Sequence, residues 1–383
     1  MMIRRRFVNI VVENYRSGMY SLHRLDVSKH LFYPSTAEAQ VLSAGPEALA
    51  NIGGRGDAPP VTDRLPELPA PCMSFNPSPT NNWNNPRLAF FGLVSPRCSE
   101  GKVLCIDRAG HALLYDADSH STSYMPTLGH PKGISPVAVS VPRPGAKEED
   151  LYIMHNVPEP GYPCFDVLTR LDFPGNATWQ NLPQPPFTRD PRYEPNFIRS
   201  YTVVDQGRTI CISSGADGIG TYCFDTVESK WKHAGDWVLP FHGRAEYIPE
   251  LKLWLGFSLG RSHYLCGTSV LSSMAMDRPP KLQCVWRDLD VPEKWLATRI
   301  NLINLGAGRF CIVKVFGVEH YTPESAGDLD DDWDVVESEL AVLTGIEICS
   351  NGVDQNSNLE RPKIFKHKSM LYKFMDDGIE WVL

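Results

Sequence analysis

Tyr201-Thr-Val-Val204, Thr209-Ile-Cys-Ile-Ser213, Gly220-Thr-Tyr-Cys-Phe-Asp225 and Lys230-Trp-Lys-His233 follow one another as four short runs rich in β-branched and aromatic residues, separated by Gly, Asp, Ser or Gln. Runs of this kind are strands, and four in succession predict a four-stranded antiparallel unit. The preceding segment repeats the pattern as 136–140, 151–154, 167–172 and 178–182, and an earlier one as 103–107, 112–116 and 122–125. Tyr124, Trp179, Trp231 and Trp286 close successive units at intervals of 55, 52 and 55 residues. A period of about 50 is that of one kelch-type blade, so the chain reads as an all-β, kelch-like β-propeller. Asp116, Asp172 and Asp225 end the third runs, where a carboxylate can accept backbone N–H bonds from the turn. The aromatics that follow are large enough to wedge between blades.

A fifth unit runs through 244–248, 253–257, 263–268 and 284–287, and a sixth through 299–304, 310–315, 340–348 and 364–368. Phe7–Val12, Tyr20–Asp26 and Leu31–Tyr33 supply most of a further blade at the N-terminus. The length is used up by six four-stranded blades, five or seven being the alternatives, within one propeller domain spanning 1–383. Two inserts interrupt it: a flexible, structureless one at 35–71 and an acidic loop at 318–339. Pairing of the N-terminal strands with C-terminal ones such as Leu371–Phe374 is expected to close the ring and cover the edge that would otherwise invite aggregation.

At 383 residues, 42% hydrophobic and 21% charged, the chain can bury a large core and is neither disordered nor fibrous in composition. No apolar run approaches the roughly 20 residues of a membrane-spanning helix, and the start lacks the apolar core of a secretory signal. The expected location is the cytoplasm or nucleus. Arg4-Arg5-Arg6, with no acid before Glu13, leaves a mitochondrial transit peptide as the alternative. Seven of the ten cysteines (Cys105, Cys211, Cys223, Cys266, Cys284, Cys311 and Cys349) fall in predicted strands and none forms a CxxC pair, so they read as reduced, small hydrophobes.

The net charge of −8 is concentrated. Nine acids and no Lys or Arg lie between Glu319 and Glu339. Within them Asp328, Asp330, Asp332, Asp334 and Glu339 match positions of a calcium-binding loop, but Trp333 stands where the sharp turn needs Gly and the flanks are strands, so a solvated loop is the better reading. Nothing combines basic and aromatic residues in the manner of a nucleic-acid surface. GxSxG, HExxH and phosphate-binding glycine loops are missing, and His242, His263 and His320 have no metal-binding spacing. No cofactor, no metal, no membrane and no catalytic residue are expected, and a monomer is.

Loop length is the remaining signal. In a propeller the connections between strands two and three, and from strand four to the next blade, emerge on one face. There the chain places 155–165, 183–197, 234–243 and 317–339. These loops hold Tyr162, Arg192, Tyr193, Trp237, Phe241, His242, Arg244 and Trp333, the residue types that dominate protein-binding hot spots. That face is the candidate partner-binding surface. The competing reading is that these aromatics pack the loops on themselves.

Gly235-Asp-Trp-Val-Leu-Pro-Phe-His-Gly-Arg-Ala-Glu-Tyr-Ile-Pro-Glu250 with Leu253-Trp-Leu-Gly-Phe-Ser258, the opening Arg6-Phe-Val-Asn9 and Tyr20-Ser-Leu-His-Arg-Leu-Asp26, His30-Leu-Phe-Tyr-Pro-Ser-Thr36, and Phe310-Cys-Ile-Val-Lys-Val-Phe316 resemble a large plant family of unknown function, expanded in grasses, whose members look like kelch or F-box-associated propellers. The resemblance covers nearly the whole chain and implies no catalytic residues. The chain has no room for an F-box beside the propeller, so any link to ubiquitin ligases would run through a partner. The expected function is a non-catalytic protein-interaction propeller, an adaptor or substrate-recognition module. The alternatives are a ligand-binding or enzymatic propeller using its central channel, and an organelle-targeted effector.

Overall fold

The computed structural model describes residues 5–43, 63–64, 67–77, 87–133, 135–143, 148–170, 176–260, 262–269, 271, 279–287, 295–319, 336–349 and 362–383. It divides into two compact units, Asn76–Arg287 and Arg4–Phe75 together with Asp288–Leu383.

The first unit is built of four propeller blades in sequence order. The first blade is Leu88–Leu93, Lys102–Asp107, Ala112–Asp116 and Ser121–Met125; the second is Val137–Pro142, Glu149–Met154, Phe165–Thr169 and Thr178–Asn181. The third is Ile198–Val204, Thr209–Ser214, Thr221–Asp225 and Lys230–Gly235; the fourth is Phe241–Ile248, Leu253–Ser258, Leu265–Thr268 and Cys284–Trp286. Each is an antiparallel meander, and the leading strands of the third and fourth pair in parallel (Ser200 with Gly243, Tyr201 with Arg244, Thr202 with Ala245), which fuses them into one eight-stranded sheet.

Strand alternation explains the packing. Side chains two apart share a face, so Ile210 and Ile212 bury against the second blade beside Phe165 and Val167, while Cys211 between them faces the fourth blade with Phe241, Ala245 and Cys266. Leu151 and Ile153 likewise pack on the first blade, and Tyr152 and Met154 on the third. A central strand of this kind buries both faces, each aliphatic side chain being worth about 1.5–3 kcal/mol.

The wedge expectation holds at two of its aromatics. Trp231 packs between Phe165 of the second blade and Phe224 of the third, at 5.7 and 5.0 Å, and its indole N–H donates to the Pro183 carbonyl at 2.8 Å. Trp179 makes the equivalent bond to Pro126, at 2.9 Å. Tyr124 does not wedge: it is 90% exposed on the outer strand of the first blade, which no blade precedes within this unit. The turn role of the aspartates is seen at Asp116, which accepts from the N–H of Asp118 and Ser119, and at Asp225, which accepts from Val227 and Glu228. Asp172 lies outside the described residues.

The second unit corrects the count of six blades. Its strands form two sheets of different construction: a five-stranded sheet of Trp295–Gly306, Arg309–Glu319, Val336–Cys349, Lys363–Phe374 and Asp63–Arg64, and a four-stranded sheet ordered Asp377–Val382, Phe7–Asn14, Met19–Asp26, Met73–Phe75. The long strands of 11 to 14 residues exceed those of the four regular blades. Leu371–Phe374 does not meet the N-terminal strands; it pairs with Glu339–Val342 on one side, and Leu371 with Arg64 on the other. The N-terminal strand Phe7–Asn14 pairs instead with Asp377–Val382. Leu31–Tyr33 is not a strand: Val27–His30 forms a helical turn, and the Leu31 carbonyl accepts the N–H of Lys368. Nor is 35–71 structureless throughout, because Thr36–Ser43 is a helix and Asp63–Arg64 an edge strand.

All ten cysteines are free thiols. Of the seven in strands, Cys105, Cys211, Cys223, Cys266 and Cys311 are buried, while Cys284 and Cys349 are only partly covered.

Candidate functional site: the loop face of the four-bladed unit

Three connections build this face: residues 126–136 between the first two blades, 155–164 inside the second, and 182–197 between the second and third. Buried polar contacts lock them together. Lys132 is fully buried; its Nζ lies 2.5 Å from Asp166 Oδ2 and donates to the carbonyls of His130 and Pro163 at 2.7 and 3.0 Å. A buried ammonium is tolerable only when it is paired, and here two carbonyls accept from it while the Asp166 carboxylate supplies the opposite charge. The amide of Asn181 reaches Asp166 Oδ1 at 3.4 Å. Gly133 follows at φ +68, and a Cβ there would lie 2.7 Å from Nε2 of His155, so this turn favours glycine. His155 is held neutral by burial, which lowers its pKa, and its Nδ1 accepts the Val157 N–H at 3.0 Å.

Tyr193 and Phe241 are corrections to the sequence reading. Tyr193 is 7% exposed; its hydroxyl donates to the Pro158 carbonyl at 2.7 Å and its ring packs on Phe187 at 5.0 Å, so it joins two loops from beneath. Phe241 is 0% exposed and belongs to the core between the third and fourth blades. Trp237 is half-buried: its ring lies over Gly235, where a Cβ would come within 2.3 Å of Nε1, and its carbonyl accepts the Thr221 hydroxyl at 2.6 Å. Tyr193 and Phe241 hold the surface without forming it.

The outer layer consists of Tyr162, 38% exposed and edge-on to His130 at 6.2 Å, Phe197, 62% exposed, Arg192, Arg199, His242 and Arg244. Arg192 is aimed by Asp190, donating from Nε to Oδ1 at 3.1 Å and from Nη2 to Oδ2 at 2.8 Å; these bonds hold the Asp190 carboxyl at about 2. Arg244 has a looser ion pair with Glu246 at 3.6 Å. His242 sits at an irregularity of its strand: pairing with Leu253–Ser258 jumps from His242–Phe257 to Glu246–Leu255, a bulge with Gly243 at φ +65. Opposite it, a Cβ on Gly256 would meet Phe241 at 2.9 Å and the Arg244 carbonyl at 3.2 Å, so the bulge needs glycine on the facing strand. His263 packs against His242 with ring centroids 4.4 Å apart and planes tilted by 46°. Burial, then His263 and Arg199, lower the His242 pKa.

Trp333 and Asp328, Asp330, Asp332 and Asp334 lie outside the described residues. Glu339, the last of the calcium pattern, is a strand residue bound to Arg299 Nη1 at 3.1 Å. Among the described residues no cluster of His, Cys, Asp or Glu could hold a metal ion, and no helix is long and apolar enough to cross a membrane. The sequence reading missed Lys132, Asp166 and Arg199. Lys132 stands between Pro131 and Gly133 in a segment that no periodicity marks, and Arg199 lies ahead of Tyr201, where the sequence reading began this strand.

A family model described as a protein of unknown function (DUF1668) matches residues 5–372. No curated protein matches. Among solved structures, a protein of unknown function from Bacteroides thetaiotaomicron is similar at 10% identity, with 60% of this chain and 54% of that chain covered and a TM-score of 0.38. An auxiliary nutrient binding protein from Bacteroides ovatus is similar at 9% identity over 60% of this chain and 55% of that one, with a TM-score of 0.40. The β-propeller domain of Cps50 (Swd1) from Myceliophteria thermophila is similar at 11% identity over 45% and 51%, with a TM-score of 0.30. The chain thus spans just over half the length of the solved chains it matches.

Proposed function

From the premise that the chain belongs to the DUF1668 family of unknown function, we propose that it is a non-catalytic protein-interaction propeller whose partner docks on the loop face of the four-bladed unit. One observation carries this reading: exposed Tyr162, Arg192 and Phe197 stand on loops pinned from below by the Lys132–Asp166 pair and the Tyr193–Pro158 bond. Rigid loops presenting aromatic and guanidinium groups lose little entropy on binding, which is what a hot-spot surface requires. The kelch likeness, the adaptor role and a cytoplasmic or nuclear setting belong to the same proposal.

Proximity labelling by the tagged chain, run beside a Tyr162→Ala, Arg192→Ala, Phe197→Ala variant of unchanged thermal stability, tests it. Proteins labelled by the parent and lost from the variant are the expected result. An identical labelling pattern from both would move the binding surface elsewhere.

A further inference from the structure

Cys211 and Cys223 stand opposite each other at the centre of the third blade. The register of their two strands runs unbroken from Thr209–Asp225 to Ser213–Thr221, with Cys211 paired to Cys223 in its middle. Opposite residues of antiparallel strands have Cα atoms about 4.5–5.5 Å apart and side chains on the same face. A disulfide spans Cα separations of about 4.4–6.8 Å, so the ladder itself sets these thiols at bonding range with no change of backbone. Side-chain geometry agrees. The two sulfurs are 2.7 Å apart, closer than the roughly 3.5–4.0 Å at which even the smaller carbon atoms rest unbonded. One pair along on the same face, the hydroxyls of Ser213 and Thr221 meet at 2.8 Å, so the two strands draw opposite side chains together twice in succession.

The surroundings select the reagent. Both thiols lie in the apolar core between the third and fourth blades, among Leu239, Phe241, Ala245 and Cys266, with Cys211 fully buried and Cys223 7% exposed. That burial keeps out a bulky disulfide reagent but admits a molecule only a little larger than water. The hydrogen bond with Cys223, and then burial, hold the Cys211 thiol well above its ordinary range. A thiol that keeps its proton reacts slowly, so the chemistry here is slow at neutral pH and quickens in alkali.

We propose that Cys211 and Cys223 form a redox-modifiable pair, oxidised by hydrogen peroxide to a cross-strand disulfide. Cys223, the more accessible sulfur, attacks one peroxide oxygen; the O–O bond breaks, and the departing hydroxide leaves as water with the thiol proton. Cys211 then attacks the resulting sulfenic sulfur. The S–S bond forms, the S–O bond breaks, and the second hydroxide leaves as water with the proton of Cys211. Two thiols lose one electron each and the peroxide takes both. This inference does not depend on the docking face.

Trypsin cuts after Arg208 and Lys230, so residues 209–230 are released as one peptide carrying both cysteines and no others. The reduced full chain is treated with hydrogen peroxide at about pH 7 and about pH 9, either side of the ordinary thiol value of about 8.5, then denatured, alkylated and digested. The peptide should become two hydrogens lighter and take up no alkyl group, faster at the higher pH, and a reductant should restore both alkylations. Urea unfolding gives a second readout. Closing this loop restricts the unfolded chain, so the oxidised parent should show a higher midpoint that reductant reverses, and Cys223→Ala should show no such rise. Full alkylation at 209–230 after exposed Cys98 has been oxidised, a link from Cys211 to Cys266 instead, or oxygen added to the peptide without loss of hydrogens would each overturn the assignment. A midpoint that falls on oxidation would overturn the claim that the bond fits the native strands.

Discussion

Lys132 and Asp166 bring an ammonium and a carboxylate into the body of the protein, and the loop face depends on their doing so together. Removing one partner strands the other charge, a loss of about 3–5 kcal/mol in comparable buried pairs, whereas replacing both by apolar residues of similar volume is often neutral. Lys132→Met should therefore lower the urea midpoint steeply, and Lys132→Met with Asp166→Leu should recover most of it. A double variant as unstable as the single one would mean that the backbone bonds to His130 and Pro163 dominate. Tyr193→Phe is a milder probe: it leaves the Pro158 carbonyl without its phenolic donor and should cost about 1 kcal/mol, read from the same unfolding curves. At this scale residue type was legible and burial was not. The aromatic and Arg content of the loops was plain, yet Tyr193 and Phe241 turned inward while Tyr162 and Arg192 stayed out, because the difference lies in which carbonyl or core each side chain can reach across the chain.

Elements were more legible than residues, since a strand's pattern is local. Ile210, Cys211 and Ile212 alternate faces as period two demands, and the Trp179 and Trp231 repeats mark real junctions, each with an indole bond to the carbonyl of a proline, Pro126 or Pro183, just past the end of the previous blade's last strand. What stayed hidden depended on tertiary partners. The bulge at His242 faces Gly256, and the predicted strand Leu31–Tyr33 gives way to the exit of the helical turn Val27–His30, where the Leu31 carbonyl accepts the N–H of Lys368, far along the chain. Two glycines of the third blade allow a matched measurement. Gly218 and Gly220 both have positive φ, +74 and +77, but a Cβ on Gly218 meets nothing within 4 Å, while one on Gly220 would lie 2.2 Å from the Gly235 carbonyl oxygen. Gly218→Ala should lose only the left-handed penalty of about 1–2 kcal/mol. Gly220→Ala carries the same penalty and must also push paired strands away from each other, so its thermal midpoint should fall clearly further. Equal losses would show that the neighbouring turn relaxes freely.

At the scale of the whole molecule, one unit is contiguous in sequence and the other is assembled from both ends of the chain, and the latter holds a pH lever. Arg299 there donates to Glu339 at 3.1 Å and to Glu380 at 2.8 Å. Burial raises the pKa of both carboxyls above the ordinary 4.5, the guanidinium offsetting only some of it, and Tyr15 beside them is pushed up to about 12 by burial and then by the same two acids. A carboxyl whose folded pKa lies above its unfolded value binds its proton more tightly in the native state. Stability from this source therefore grows as pH falls through the folded value, is complete below about 4.5, and is lost as pH rises again. His155, His242 and His367 act in the opposite sense: burial lowers them, so the native state resists the proton that the unfolded chain accepts, and stability is lost as pH falls below the ordinary 6.5. Because the two groups oppose each other, the parent's stability curve alone cannot separate them, but a difference curve can. Glu380→Gln mimics the protonated acid and keeps an acceptor for Arg299, so it should exceed the parent in stability at neutral pH. The advantage should shrink steadily on acidification and vanish below about 4.5, where the parent carboxyl is protonated too. Thermal midpoints of both proteins from pH 4 to 8 check this, and an advantage independent of pH would show that the buried charge carries no penalty.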